Sequence, residues 1–229
     1  MKTQVINAAF AIAVFAVVNV WPIGLARADF IIDNFEGTLI ESGNPIGYAS
    51  FGTQLSDRGV SNAYGATSGT NSAFYVINFD LNPGFGVGAV HQGLSLALDP
   101  NYEASVNVRI QKGPVSGGFV AFRLEDNDGT IVRTATSQLH SATTSFTNIR
   151  QALSTIDHVD EVGTTAGLNW AQINSVGLLF FDQGFSGTTT VVFDDLIIAV
   201  PEPSSAVLLL MCVVCWAVRR RGLRNPTEQ

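Results

Sequence analysis

Cysteine is almost missing from this chain. Its two copies, Cys212 and Cys215, sit together in an apolar run near the C-terminus. The stretch from Asp29 to Val200 has none, so no disulfide can staple it, and packing and hydrogen bonds must hold it together. Positive charge is scarce as well. Those 172 residues carry 17 Asp and Glu against 6 Lys and Arg, a formal charge of −11, and Lys112 is their only lysine. Such a surface repels nucleic acid and anionic lipid. It suits solubility outside a cell, or the capture of divalent cations.

Catalytic signatures are also lacking. His91, His140 and His158 are far apart, no zinc-type His-Glu-x-x-His pattern occurs, and no cysteine is at hand to complete a metal set. There is no Gly-x-Ser-x-Gly elbow. Asp126–Gly129 (DNDG) invites comparison with a calcium-binding EF-hand loop. Placing Gly129 at the sixth position puts Leu124 first and Ala135 twelfth, where oxygen ligands are required, so the match fails. A glycosidase would need two carboxylates across a cleft, and the sequence marks no such pair. The expectation is a protein that is not an enzyme.

The two ends differ from the middle. Met1–Ala28 has the form of a secretory signal peptide: Lys2 gives the positive start, Ala8–Val20 is apolar except for Asn19, and Ala26-Arg27-Ala28 supplies small residues around a cut. The apolar run is shorter than the ~20 residues of a membrane span. Signal peptidase would then leave Asp29 as the mature N-terminus.

The middle, 29–199, reads as one domain made of strands. Ala104–Ile110 (ASVNVRI), Phe119–Glu125 (FVAFRLE) and Thr130–Thr136 (TIVRTAT) alternate apolar with polar residues, the period of a half-buried strand. The DNDG between the last two predicts a hairpin turn, with Gly129 taking the positive φ. Phe30–Phe35, Ala73–Phe79, Ser145–Leu153, Val176–Asp182 and Thr188–Ala199 are further strand candidates. Leu168–Ile173 is expected to make a single helical turn, tucking Trp170 and Ile173 under a sheet. The 15 phenylalanines suit sheets packed face to face. The expected class is all-β, a β-sandwich, with the jelly roll as the preferred form.

At Val200 the composition changes. Pro201, Glu202 and Pro203 are followed by an apolar stretch, Ala206–Val218, and then by Arg219, Arg220, Arg221 and Arg224. A helix over 204–218 is short for a full span, its arginines would stay cytoplasmic, and the prolines would end it on the outer side. A plain membrane anchor has the same outline. The order of Pro-Glu-Pro, apolar segment and arginine cluster resembles the PEP-CTERM sorting signal. That resemblance implies an exosortase partner that cuts near Pro201–Pro203, a transient hold in the inner membrane, and delivery to the cell surface or extracellular matrix. Pro201, Glu202, Pro203, Arg219, Arg220 and Arg221 are then recognition residues for another enzyme.

A second resemblance concerns the domain. Phe30–Glu36 (FIIDNFE), Trp170–Phe181 (WAQINSVGLLFF) and Val192–Ile198 (VFDDLII) look like the first, penultimate and last strand segments of galactose-binding-like jelly rolls, the fold of several carbohydrate-binding modules. The resemblance implies one structural Ca²⁺ held by Glu36 and Asp194, with Asp33 and Asp195 as lesser candidates; hard oxygen ligands suit that ion. Sugar binding would need exposed aromatic platforms. Of Tyr48, Tyr64, Tyr75, Tyr102 and Trp170, the best placed are Tyr48 and Tyr64, in Gly/Ser-rich stretches. The leading functional expectation is an exported protein with a structural or adhesive role. The alternative is a carbohydrate-binding module acting on exopolysaccharide, and a glycan-cleaving enzyme comes third.

Overall fold

The computed structural model describes residues 29–52, 55–78, 80, 86–112, 116–140, 145–181 and 187–200. The expected leader, 1–28, and the tail from Pro201 onward lie outside the described residues. Asp29–Val200 form one compact unit.

In chain order the strands are β1 (Phe30–Asp33), β2 (Tyr48–Phe51), β3 (Leu55–Ser61), β4 (Ser72–Asn78), β5 (Val87–His91), β6 (Glu103–Lys112) and β7 (Ser116–Asp126). They continue as β8 (Ile131–Thr134), β9 (Ser137–His140), β10 (Thr147–Ala152), β11 (Ile156–Glu161), β12 (Ile173–Phe181) and β13 (Thr188–Ala199). The long central strands coincide with the alternating segments. The short ones, such as β3 (LSDRGVS) and β11 (IDHVDE), lack a clear apolar period and were not visible as strands in the sequence.

Two antiparallel sheets result. The first runs β10-β6-β13-β4-β3, with β1 also on β13; the second runs β11-β8-β7-β12-β5-β2, with β9 also on β7. Their inner faces supply the core. Val106 and Val108 of β6, Tyr75 and Ile77 of β4, and Val191 and Phe193 of β13 meet Val120, Phe122 and Leu124 of β7 and Val176, Leu178 and Phe180 of β12. Each such side chain contributes about 1.5–3 kcal/mol on leaving water. Phe193 is the aromatic hub, edge-on to Tyr75 at 5.2 Å and to Phe35 at 5.3 Å.

Two local devices bend the chain. In β13 the inward residues are Val191, Phe193, Leu196 and Ile198, so one extra residue separates Phe193 from Leu196. The pairing with β6 shifts there, and Asp195 adopts φ 51°. This β-bulge places Asp194 and Asp195 side by side on the outer face. At the end of β1, Asp33 Oδ1 accepts the Phe35 amide at 2.7 Å, and Phe35 takes φ 55°. The kink sends Phe35 into the core and leaves Glu36 outside.

The hairpin turn expected at Asp126–Gly129 is present: the Gly129 amide donates to the Asp126 carbonyl at 3.2 Å, with Gly129 at φ 92°. The helical turn expected at Leu168–Ile173 is not. The Gln172 amide donates to the Asn169 carbonyl, and the Asn169 side chain accepts the Ala171 amide at 3.2 Å, so the segment is a β-turn that leads directly into β12. Asparagine competes with the helical backbone in just this way. Ile173 is buried and Trp170 half-buried against the core.

Candidate functional site

The outer face of the second sheet carries side chains suited to binding. On β7 the residues between Phe122 and Leu124 and their inward neighbours alternate outward as Phe119, Ala121, Arg123 and Glu125. Register then sets one row across the sheet: Ala49, Val90, Gly177, Arg123, Arg133 and His158. The row is shallow at one end, where the residues are small, and cationic at the other.

Two composite groups stand on this face. The Arg123 guanidinium lies over the Phe51 ring at 5.3 Å and pairs with Glu125 at 3.2 Å, while Ser175 donates to the same carboxylate oxygen at 3.2 Å. The Arg133 guanidinium lies over the Phe181 ring at 4.8 Å and pairs with Asp160 at 3.3 Å. His158 is 3.4 Å from that same Asp160 oxygen. Gly88 is required beneath Phe51, since a Cβ there would fall 2.4 Å from the ring. Stacking and ion pairing hold each arginine in place. The result is two half-buried arginine–phenylalanine pairs, each with a carboxylate alongside. None of these residues was singled out from sequence. The outward alternation of Phe119, Ala121, Arg123 and Glu125 was the one available signal; what joins them to Phe51, Phe181, Arg133 and Asp160 is strand order.

The acidic residues expected to hold Ca²⁺ do come together, around one loop. Glu36 Oε1 accepts the amides of Thr70 and Asn71, both at 2.8 Å. Asp194 Oδ2 accepts the Thr67 amide and hydroxyl, both at 2.7 Å, and the Ser68 amide at 3.2 Å. Asp195 accepts from Ser68 Oγ and Asn107 Nδ2, and its Oδ2 also lies 2.7 Å from Thr67 Oγ1, competing with Asp194 for that one hydroxyl proton. With Thr70 Oγ1 on Glu36 Oε2 and the Asp195 amide on Asp194 Oδ1, all six carboxylate oxygens have a donor. Gly69 makes room for this clamp, because a Cβ there would fall 2.1 Å from the Glu36 carboxyl carbon. Burial raises the Asp194 pKa above the usual carboxylate value, and the Asp195 charge adds to the rise, against the hydrogen bonds from Thr67 and Ser68. Among the described residues no three His, Cys, Asp or Glu side chains are grouped as a metal centre. An ion at Glu36 and Asp194 would therefore have to take oxygens that the loop donors hold.

Asp33 lies elsewhere, in a cavity with His91. Tyr48 is a correction: it belongs to β2 and its ring is buried against Phe35, so it cannot serve as a sugar platform. Tyr64 is half-buried and packs at a tilt against Phe74, with ring centroids 5.1 Å apart, while its carbonyl accepts from Arg109. Tyr75 and Tyr102 are core residues. Of the described histidine side chains, His91 lies in that cavity and His158 on the outer edge; the His140 side chain lies outside the described residues, as do Pro201, Glu202, Pro203 and the arginine cluster.

Comparison with known proteins agrees with both resemblances. The family model described as the PEP-CTERM protein-sorting motif matches residues 199–221. No curated protein sequence matches the chain. The fold is similar to the family 11 carbohydrate-binding module of the cellulosomal cellulase Lic26A-Cel5E of Clostridium thermocellum, at 14% identity and TM-score 0.52, covering 77% of this chain and 96% of that one. It is also similar to part of the arabinose-bound MgGH51 α-L-arabinofuranosidase, at 14% identity and TM-score 0.54, covering 75% of this chain and 26% of that one. An exo-β-agarase shows the same likeness, at 11% identity and TM-score 0.51, covering 77% of this chain and 25% of that one. The chain thus carries the PEP-CTERM signal of an exported, exosortase-sorted envelope protein, on a domain with the jelly-roll fold of carbohydrate-binding modules.

Proposed function

We propose that this protein is a non-catalytic polysaccharide-binding module, displayed at the cell surface or in the extracellular matrix. The observation that carries the reading is the pair of arginine-on-phenylalanine groups with their carboxylates, Arg123 on Phe51 beside Glu125 and Arg133 on Phe181 beside Asp160. A sugar ring presents an apolar C–H face and an edge of hydroxyls. The half-buried rings and arginine stems would receive the first, and guanidinium and carboxylate groups the second. A related jelly roll of TM-score 0.51 is a family 11 module in complex with a β-1,3-1,4-mixed-linked tetrasaccharide, which supports the ligand class. An adhesive or structural role would follow from holding matrix polysaccharide.

Maturation would run through three steps. Signal peptidase cuts after Ala28, the tail holds the chain in the inner membrane, and exosortase cuts near Pro201–Pro203. One structural Ca²⁺ at Glu36 and Asp194 belongs to the same proposal. Its support is the like charge of Asp194 and Asp195, two neighbours that a cation would relieve. Identical melting in millimolar Ca²⁺ and in excess chelator removes the ion from the account. A glycan array probed with the purified protein tests the main reading. Binding to β-linked polysaccharides is expected, and no signal on any neutral or acidic glycan would overturn it.

A further inference from the structure

The outer face of the first sheet, on the opposite side of the sandwich, carries a third arginine-on-phenylalanine pair. On β6, Asn107 and Arg109 alternate with buried Val106, Val108 and Ile110, and so point outward. On neighbouring β10, Asn148 and Arg150 flank buried Ile149 and also point outward. Phe146 precedes the Thr147–Val108 pair, which sets it beside Arg109. The Arg109 guanidinium lies over the Phe146 ring at 4.9 Å and donates to the Tyr64 carbonyl. Phe146 and Tyr64 are both half-buried.

Beside this pair runs a ladder of side-chain amides. Arg150 Nε donates to Asn148 Oδ1 at 2.6 Å, and Asn148 Nδ2 donates to Asn107 Oδ1 at 2.8 Å. Asn107 Nδ2 donates in turn to Thr67 Oγ1 at 3.0 Å and to Asp195 Oδ2 at 3.1 Å. A primary amide offers two N–H donors and two acceptor lone pairs. Asn148 uses one of each within the ladder and is exposed, so a donor and an acceptor stay open to a ligand, held in place by their neighbours. Arg109 and Arg150 are balanced by Asp195 and by Glu103, which lies 3.4 Å from Arg150. The face is therefore neutral and favours a neutral polyol over a polyanion. Four of the six basic residues in this acidic domain, Arg109, Arg123, Arg133 and Arg150, thus stand on its two outer faces.

We propose that this second face binds a neutral polysaccharide of its own, so that one domain bridges two chains. The proposal rests on the carbohydrate reading above and extends it from one face to two. The Phe146 ring and the Arg109 stem meet the C–H face of a sugar unit, and Asn148 and Arg150 meet its hydroxyls, which both donate and accept. The two faces look away from each other across sheets stacked about 10 Å apart, so a single stiff chain cannot lie on both. Holding two chains on one rigid body gives a matrix protein a cross-linking role that needs no second subunit.

Titration calorimetry on the full-length protein, in a non-glycosidic detergent, tests this with short β-linked gluco-, xylo- and galacto-oligosaccharides. At least one should bind at two sites per chain. Phe146→Ala should remove one of them. Asn148→Ala, a change at an exposed position, should weaken that same site about tenfold and leave the melting temperature unchanged. Arg123→Ala should weaken the other site alone. A single site per chain, weakened by Arg123→Ala and spared by Phe146→Ala and Asn148→Ala, overturns the second face and keeps the first. A single site weakened by Phe146→Ala alone moves the polysaccharide to the second face and overturns the bridging. Heat from no oligosaccharide defeats the carbohydrate reading itself, and the second face with it.

Discussion

Single residues decide where the acidic groups go. Glu36 reaches its loop because Phe35 accepts a positive φ and Gly69 lacks a side chain. Gly69→Ala adds a Cβ at φ 62°, in the space of the Glu36 carboxylate. We expect a loss of about 1–3 kcal/mol in urea denaturation, and an unchanged midpoint would show that Glu36 is not held. Asp194 carries a pH signature. Its folded pKa is raised above 3.8, so ionisation costs the native state stability, and that cost disappears as pH falls through the folded pKa toward 3.8. Asp33 acts in the same sense. Asp128 acts in the opposite one: Thr165 and Thr130 hold its pKa far below the carboxylate range, and the stability it gives is lost only in stronger acid. The stability difference between wild type and Asp194→Asn should therefore change between neutral and mildly acidic pH, with wild type gaining as pH falls. A difference independent of pH would contradict the assignment.

At the scale of elements, the hairpin between β7 and β8 is tied to the approach to β12 by one buried carboxylate. Asp126 Oδ1 accepts the Asp128 amide at 3.1 Å and the Thr130 amide at 2.9 Å, and Oδ2 accepts the Asn169 amide at 2.7 Å. Asp126→Ala would remove the side-chain acceptor of the Asp128 and Asn169 amides, leave the Thr130 amide only its longer bond to Asp128, and cost about 2–4 kcal/mol, measured by thermal or urea unfolding; a loss within error would mean that the turn stands without it. The hairpin was legible because Asp-Gly and two alternating strands adjoin in sequence. The long strands β6, β7, β12 and β13 were legible for the same reason. β2 was not, because Gly47 precedes it and only four residues pair, so Tyr48 read as a loop residue although its ring is in the core. The β13 bulge left a trace in the spacing of Phe193 and Leu196, but spacing alone does not say which residue takes the positive φ.

Across the whole molecule, the tail is the most local signal and the proposed binding face the least. Pro-Glu-Pro, apolar run and arginines are contiguous, so the sorting motif could be read directly. Loss of the host exosortase should leave the tail on the chain and the protein in the membrane, with the N-terminus still at Asp29. Unchanged C-terminal processing in that strain, read by mass spectrometry, would remove exosortase from the account. The proposed binding face, by contrast, unites β2, β7, β8, β11 and β12, whose adjacency is set by strand order. Arg123 and Arg133 are register partners, and Phe51 reaches Arg123 only because β5 and β12 lie between their strands.

The central claim is that this face binds polysaccharide, and titration calorimetry of wild type against Arg123→Ala and Phe51→Ala tests it most directly. The titrant is a soluble polysaccharide found by array, or a mixed-linked β-glucan. Each substitution removes one half of a stacked pair and should weaken binding by about 1–3 kcal/mol, roughly five- to 150-fold, with the fold retained. Equal affinity in all three proteins would place any bound polysaccharide elsewhere and contradict the account.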